Sequence, residues 1–265
     1  MRRRTEAKLK KVLEAVRPGR LVDTPTLERH GITRKLAHKY IESGWLEPVV
    51  RGLYRRPDTD ATEADWRSVV RSLQHVMGYD SIVGGRTALE EQGFAHYLQM
   101  RGEQAVHLYG DAHPSWLKRL DDADSFKLHS LKLFGEDAAE DVTPVDTAVG
   151  ALICSTPERA ILELIDELPR RESFHIVDTA FEGLSSARPR RFERLLHACK
   201  SVKVKRLFFA YADKHAHAWR RHLSPENFDL GSGPRSLVED GRFHPRYKIS
   251  VPKTLLPRDE ADDGA

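Results

Sequence analysis

The first 57 residues contain three short helical patterns followed by a hairpin pattern, and this order restricts the fold of that region more than any other feature. Apolar residues recur at helical spacing over residues 5–16, where a Pro-Gly pair then ends the pattern. A second helix is predicted to begin with Thr24 as its N-cap and Pro25 as its first residue, and Gly31 ends it.

The third helical pattern is basic on one side and apolar on the other. Thr33 can cap it and Gly44 can end it. The apolar side contains Leu36, Ala37, Tyr40 and Ile41, and the other side contains Arg34, Lys35, His38 and Lys39. Two short helices joined by a glycine-containing turn, the second one with an exposed basic side, are typical of helix-turn-helix proteins. In those proteins the second helix enters the major groove of DNA.

Two β-prone runs follow and meet at Arg51-Gly52, where glycine can adopt the positive φ of a tight hairpin. Arg51, Arg55 and Arg56 lie on this hairpin, and arginine can contact the DNA backbone or enter a narrow minor groove. The head is therefore predicted to be a winged helix-turn-helix. Its predicted DNA-binding residues are Thr33, Arg34, Lys35, His38, Lys39, Arg51, Arg55 and Arg56.

Charge is strongly segregated along the chain, although the formal net charge is only +3. Residues 1–56 contain 15 Lys and Arg and six Asp and Glu, whereas residues 57–150 contain eight and 17. A basic head on a neutral or acidic body is expected of a nucleic-acid-binding domain joined to another domain. A solvated basic surface is the alternative explanation of the same charges.

The remaining chain has the pattern of a larger mixed domain. Helices are predicted after a cap at Thr62, at 172–183, 189–199 and 202–219, and after a capping box at Ser155-Thr-Pro-Glu158. Runs at 104–109, 126–134 and 147–154 are β-prone. The predicted fold class is α+β, with a winged helix-turn-helix domain at 1–58, a mixed α/β domain at 62–257 and an acidic tail at 258–265.

Several function classes lack support in the sequence. No apolar run approaches the roughly 18 residues of a membrane span, and no secretory signal is readable, so the expected compartment is the cytoplasm. Cys154 and Cys199 are too few for a disulfide framework and are expected to be buried thiols. No serine-elbow or phosphate-cradling pattern is present, so we expect no catalytic residues and no cofactor.

The segment around residue 215 is the closest approach to a metal-binding pattern, because it contains Asp213, His215, His217 and His222. On a helix only Asp213 and His217, four residues apart, could meet on one side. Two ligands do not make a zinc site, so no metal is expected.

A second basic stretch covers residues 188–221, with 11 Lys and Arg and two Asp and Glu. Apolar residues interleave with these charges. The stretch is explained either by amphipathic helices with solvated basic faces or by a second nucleic-acid surface.

Several runs in order along the chain resemble the AbiEi antitoxins. They are Val50-Arg-Gly-Leu-Tyr-Arg-Arg-Pro57, Thr87-Ala-Leu-Glu with Phe94-Ala-His-Tyr-Leu, Ser155-Thr-Pro-Glu-Arg-Ala-Ile-Leu-Glu-Leu, Ser201-Val-Lys-Val-Lys-Arg-Leu-Phe and Asp229-Leu-Gly-Ser-Gly-Pro-Arg. Pro234 stands where a lysine is expected in the last of these.

The resemblance implies a transcriptional regulator whose N-terminal winged helix binds inverted repeats in double-stranded DNA of its own promoter. It also implies a C-terminal antitoxin domain that counteracts a nucleotidyltransferase toxin without a stable complex. Lys200, Lys203, Lys205 and Arg206 are the candidate antitoxin surface, because they cluster in the second basic stretch.

The alternative function is a nucleic-acid enzyme tethered to a winged helix, because the head also resembles that of some nuclease-like proteins. Those proteins carry a carboxylate cluster followed by Glu-x-Lys. The only such triplet in this chain is Glu6-Ala-Lys8, within the predicted first helix, which disfavours a nuclease.

Overall fold

The computed structural model describes residues 16–58, 65–94, 105–121, 125–135, 140–238 and 241–256. The chain forms two compact units. The first unit comprises Met1–Val83, Leu108–His129 and Pro144–Ile153, and the second comprises the rest. Residues 5–15 of the predicted first helix, the Thr62 cap and the acidic tail at 258–265 lie outside the described residues.

The head of the first unit is a winged helix-turn-helix, as predicted. Its elements are β1 (Leu21–Asp23), α1 (Thr24–Arg29), α2 (Arg34–Glu42), β2 (Glu47–Val50) and β3 (Leu53–Arg55). The three strands form an antiparallel sheet in the order β1-β3-β2, and Gly52 turns the β2–β3 hairpin with a φ of +88°. A core of buried apolar residues holds the two helices together: Val16, Val22, Leu27, Ile32, Ala37, Tyr40 and Leu46.

The N-cap of α1 differs from the prediction. Asp23, not Thr24, occupies this position, and its Oδ1 accepts a hydrogen bond from the Thr26 amide at 3.0 Å. Thr24 is already helical, and its hydroxyl donates to the Gly52 carbonyl at 3.3 Å. The β1 strand that ends at Asp23 was not predicted, because a three-residue strand leaves no period in the sequence.

The first unit continues with α3 (Trp66–Ser72), which runs into a π-helical turn over Leu73–Met77. A five-stranded sheet follows in the order β6-β5-β4-β8-β7. Its strands are β4 (Ile82–Val83), β5 (Val106–Tyr109), β6 (Phe126–His129), β7 (Val142–Val145) and β8 (Leu152–Ser155). The strand predicted over 126–134 is thus shorter, because a 3₁₀ turn follows it at Leu131–Leu133.

The second unit is mainly helical. Its helices are α4 (Gly85–Glu91), α5 (Pro157–Asp166), α6 (Phe174–Gly183), α7 (Pro189–Ala198) and α8 (Val202–His215). The α5 helix is central and packs against the other four. A three-stranded sheet contains β9 (Arg235–Ser236), β10 (Arg242–His244) and β11 (Ile249–Val251) in the order β10-β11-β9. The chain therefore has the predicted α+β class.

The predicted capping box at the start of α5 is wrong, although the helix itself is present. The N-cap is Thr156, so the helix starts one residue later than a capping box at Ser155 requires. The Thr156 side chain makes no cap hydrogen bond. The Ser155 hydroxyl donates instead to Glu163 Oε1 at 3.1 Å. Glu163 also accepts hydrogen bonds from Arg159 and from the Gly85 amide, so it is a buried hub of the second unit.

The helix predicted over 202–219 ends at His215, where Ala216 adopts a left-handed conformation with a φ of 49°. None of the helices that the structure describes is long and apolar enough to cross a membrane.

Candidate nucleic-acid interface

The second helix of the helix-turn-helix, α2, has the cap that the sequence predicts. Thr33 has extended backbone angles, and its hydroxyl oxygen accepts a hydrogen bond from the Leu36 amide at 3.4 Å. Gly44 follows the helix with a φ of +72°. Nothing fills the space beside its α-carbon within 4 Å, so glycine is required there by the backbone angle alone.

The two sides of α2 differ sharply in burial. Ala37 and Tyr40 are only 3% and 5% exposed and belong to the core of the head. Four basic residues on the other side are exposed: Arg34, Lys35, His38 and Lys39. We call these four the basic face. The tertiary structure thus leaves the predicted DNA-binding side of the helix accessible.

The contacts of the basic face with carboxylates of the same chain are long and solvent-exposed. Arg34 Nε lies 3.8 Å from Glu28 Oε1, and His38 Nδ1 lies 3.6 Å from Glu42 Oε1. Lys35 and Lys39 form no ion pair with any residue that the structure describes. Exposed pairs of this length are weak, so an incoming phosphate group can replace them at little cost.

At the tip of the wing, the β2–β3 hairpin, the Arg51 side chain is exposed. Its backbone carbonyl accepts a hydrogen bond from Arg119 Nη2 at 3.0 Å. The tip is therefore held from outside the head by a residue that lies 68 positions away in the chain.

The other two arginines of the wing are bound within the head. Arg55 lies opposite Glu47 in the hairpin and donates to Glu47 Oε2 through Nε at 3.2 Å and Nη2 at 2.9 Å. Arg56 Nη1 donates to the Val16 carbonyl at 2.8 Å. The structure therefore separates the three predicted wing residues, with Arg51 at the tip and Arg55 and Arg56 in contacts that hold the hairpin in place.

A buried carboxylate connects the head to the rest of the first unit. Asp23 is fully buried, and its Oδ2 accepts hydrogen bonds from the Tyr79 hydroxyl at 2.7 Å and from Trp116 Nε1 at 3.4 Å. Burial, reinforced by the bond to Asp23, raises the pKa of Tyr79 to about 12. One side chain thus caps α1 and binds two later segments of the same unit.

Two exposed basic residues, one of which contacts the wing, were not predicted from the sequence. Lys118 and Arg119 end a 3₁₀ turn, Ser115–Arg119, whose Trp116 and Leu117 are buried. Both cations are exposed. The sequence around them is acidic, and nothing in their spacing indicates a contact with the wing.

The four residues of the predicted antitoxin surface do not share one surface. Lys200 is exposed, whereas Lys205 and Arg206 are 7% and 1% exposed. Lys203 Nζ donates to the backbone carbonyls of Asp166 at 2.5 Å and Leu168 at 2.9 Å. The prediction of a common exposed cluster is therefore corrected, because α8 turns most of these residues inward.

Arg206 has the most extensive hydrogen bonding of the four. Its guanidinium donates to four backbone carbonyls, those of Leu230 at 2.6 Å, Gly233 at 2.7 Å, Lys248 at 2.8 Å and Gly231 at 3.0 Å. Three of these carbonyls belong to the glycine-rich run at 229–235. The runs at 201–208 and 229–235, which are separate in the sequence, thus meet in the structure, where Arg206 holds the glycine-rich loop.

His215 and His217 have ordinary hydrogen-bond partners. His215 Nε2 lies 2.8 Å from Asp178 Oδ1, and His217 Nε2 lies 2.7 Å from the Phe181 carbonyl. Asp213 accepts from Arg220 at 2.7 Å. Asp213 and His217 therefore have separate partners, and the described part of the chain contains no group of three potential metal ligands.

Both cysteines are buried free thiols, as expected. Burial, with a smaller contribution from Glu91, raises the pKa of Cys154 to about 12.

Comparison with known proteins shows to which family the chain belongs. Residues 103–252 match the family model described as "Transcriptional regulator, AbiEi antitoxin, Type IV TA system", and residues 5–100 match "Transcriptional regulator, AbiEi antitoxin N-terminal domain". No curated protein matches the chain. The crystal structure of the RV2827C protein from Mycobacterium tuberculosis is similar in fold, with a TM-score of 0.60 and 15% identity over 95% of this chain and 93% of that one. The chain belongs to the AbiEi family of antitoxins, the transcriptional regulators of type IV toxin-antitoxin systems.

Proposed function

We propose that this antitoxin represses its own operon by binding inverted repeats in its promoter through the winged helix-turn-helix at residues 1–58. The observation that carries this proposal is the basic face of α2, which is exposed on a capped helix whose opposite side is packed in the core. A helix of this kind can enter the major groove, where side chains reach base edges and phosphates together.

Each predicted DNA-binding residue has a proposed role in that complex. Lys35 and Lys39 bind phosphate, while Arg34 and His38 exchange their exposed carboxylate partners for DNA. Thr33 acts through its cap, which fixes the start of α2, the end of the helix whose free backbone amides can bind an anion. Arg51 binds the backbone from the wing tip, and Arg55 and Arg56 contribute mainly by holding the hairpin.

DNA binding is tested with the full chain and its own upstream region. Fluorescence anisotropy should show tighter binding to a duplex with the upstream inverted repeats than to a scrambled duplex of equal length and composition. The preference should persist as salt is raised, while both affinities fall. Equal affinity for the two duplexes at every salt concentration would contradict operator recognition.

We further propose that residues 62–257 counteract a nucleotidyltransferase toxin without a stable complex and without catalytic activity of their own, in the cytoplasm. The family supports an antitoxin role for the chain. Of the four candidate residues, Lys200 is the exposed one, so it is the residue proposed to act at the surface. The proposed contribution of Lys203, Lys205 and Arg206 is to the folded state.

Co-expression with the nucleotidyltransferase toxin that we propose as its target tests the second proposal. Lys200→Glu should weaken rescue from growth arrest, whereas Lys253→Glu, at an exposed lysine of the same unit, should not. Both variants must accumulate to the wild-type level. Full rescue by Lys200→Glu would place the antitoxin activity elsewhere in residues 62–257.

A further inference from the structure

The 3₁₀ turn at Ser115–Arg119 is anchored to the head by buried groups. Trp116 is 3% exposed and donates its indole N–H to Asp23 Oδ2, the same carboxylate that caps α1. Leu117 is 1% exposed. The turn is therefore joined to the helix-turn-helix by a hydrogen bond between two buried side chains of the first unit, although it follows the head by more than fifty residues.

This turn carries two adjacent cations, one of which contacts the wing. Arg119 uses one guanidinium nitrogen for the Arg51 carbonyl, and a guanidinium has five N–H donors, so it can bind a second acceptor at the same time. Lys118 precedes it and is exposed. Neither cation has a carboxylate partner among the residues that the structure describes.

We propose that Lys118 and Arg119 form a second contact to the DNA backbone, beside the wing tip. They bind phosphates of the same duplex whose major groove α2 enters. This inference rests on the proposed DNA binding of the head. The ligand is the phosphodiester backbone of double-stranded DNA. Contacts between cationic side chains and phosphates position a protein on the duplex without reading its sequence. The footprint of the chain on DNA then extends past that of the winged helix alone.

Salt-dependent binding of the full chain tests this contact. The variant Lys118→Gln/Arg119→Gln is compared with Lys132→Gln/Lys253→Gln, which removes the same charge from two exposed residues of the second unit. For duplex DNA the slope of log K against log salt changes by about 0.9 per phosphate contact. The first variant should therefore reduce the slope by about 2 for operator and scrambled duplex alike, with an unchanged preference between them. The control variant should keep the wild-type slope.

Two outcomes separate the failure of this inference from that of the proposed function. If the wild-type chain binds no DNA, both the proposed function of the head and this inference are wrong. If the wild-type chain binds and the Lys118→Gln/Arg119→Gln variant has an unchanged slope, only the inference is wrong.

The single variants distinguish binding of phosphate from support of the wing. Within the described chain Lys118 makes no hydrogen bond to the wing, so Lys118→Gln should lower the slope by about 1 while leaving the urea unfolding curve unchanged. If Arg119→Gln weakens binding and Lys118→Gln does not, Arg119 positions the wing through the Arg51 carbonyl, and the proposed phosphate contact is overturned.

Discussion

The Tyr79 hydroxyl donates a 2.7 Å hydrogen bond to Oδ2 of Asp23, while Oδ1 of the same carboxylate caps α1. The Asp23 carboxylate thus ties the helix-turn-helix to the segment that follows α3, together with a hydrogen bond from Arg29 to the Met77 carbonyl. A buried carboxylate is stable only with its hydrogen-bond donors in place, so loss of one donor should lower the stability of the first unit.

Tyr79→Phe should lower the free energy of unfolding by about 1–3 kcal/mol, because it removes the shorter of the two hydrogen bonds that Oδ2 of the buried Asp23 accepts. Urea denaturation followed by tryptophan fluorescence measures the change. Tyr54→Phe is the matched control, since no hydrogen bond of its hydroxyl is found within the described chain, and it should change stability by less than about 0.5 kcal/mol. Equal effects of the two substitutions would contradict the role of the Asp23 bond.

The same bond predicts a loss of stability at alkaline pH. The pKa of Tyr79 is about 12 in the folded chain and about 10 in an unfolded one, so the folded state holds this proton more tightly. The contribution of this hydrogen bond to the free energy of unfolding is fully present below pH 10 and is lost as the pH rises toward 12. Unfolding free energies of wild type and Tyr79→Phe should therefore converge between pH 10 and 12. A constant difference over this range would show that Tyr79 is not the group that titrates.

Removal of the two lysines of the basic face should weaken operator binding. Lys35→Ala/Lys39→Ala should lower the salt slope by about 2 if both bind phosphate, whereas removal of a bidentate bond to a base should cost about 1–3 kcal/mol. Anisotropy titrations at several salt concentrations measure both quantities. Unchanged binding by this variant, with a wild-type circular dichroism spectrum, would overturn the placement of α2 in the major groove.

The wing arginines should differ in how they affect binding. Arg51→Ala should weaken binding to operator and scrambled DNA by similar factors without changing stability, because its side chain is exposed at the tip. Arg55→Ala and Arg56→Ala should reduce stability as well, because each removes a bond that holds the hairpin. Parallel denaturation and binding curves separate the two effects. A selective loss of operator binding in Arg51→Ala would show that the wing reads bases.

Arg206 should be among the most sensitive residues of the second unit. Arg206→Ala leaves four backbone carbonyls without their donor and should lower the free energy of unfolding by at least about 1.5–3 kcal/mol, the typical contribution of one hydrogen bond to a charged group. Arg206→Lys should recover only part of the loss, because a lysine ammonium cannot span the positions of the guanidinium nitrogens. Thermal unfolding provides the measurement, with Lys200→Ala as the exposed control. A near-wild-type Arg206→Ala would mean that the glycine-rich loop holds its conformation unaided.

The sequence alone determined the helix-turn-helix, its wing and the amphipathic character of α2. Local signals suffice for these elements, since the cap at Thr33, the positive φ at Gly44 and the hairpin glycine at residue 52 act within a few residues of the chain. The fold class followed from the same kind of evidence. The one-residue errors at the starts of α1 and α5 arose where two capping residues are adjacent and only the packed helix decides between them.

Only the tertiary structure decided which charges are available at the surface. Lys200 and Arg206 belong to one basic run in the sequence, yet Lys200 is exposed and Arg206 is buried among carbonyls, because the glycine-rich loop folds over one side of α8. Arg51 and Arg119 are 68 residues apart and meet through a backbone carbonyl. Contacts of this kind are set by the packing of distant segments, and no local periodicity or spacing encodes them.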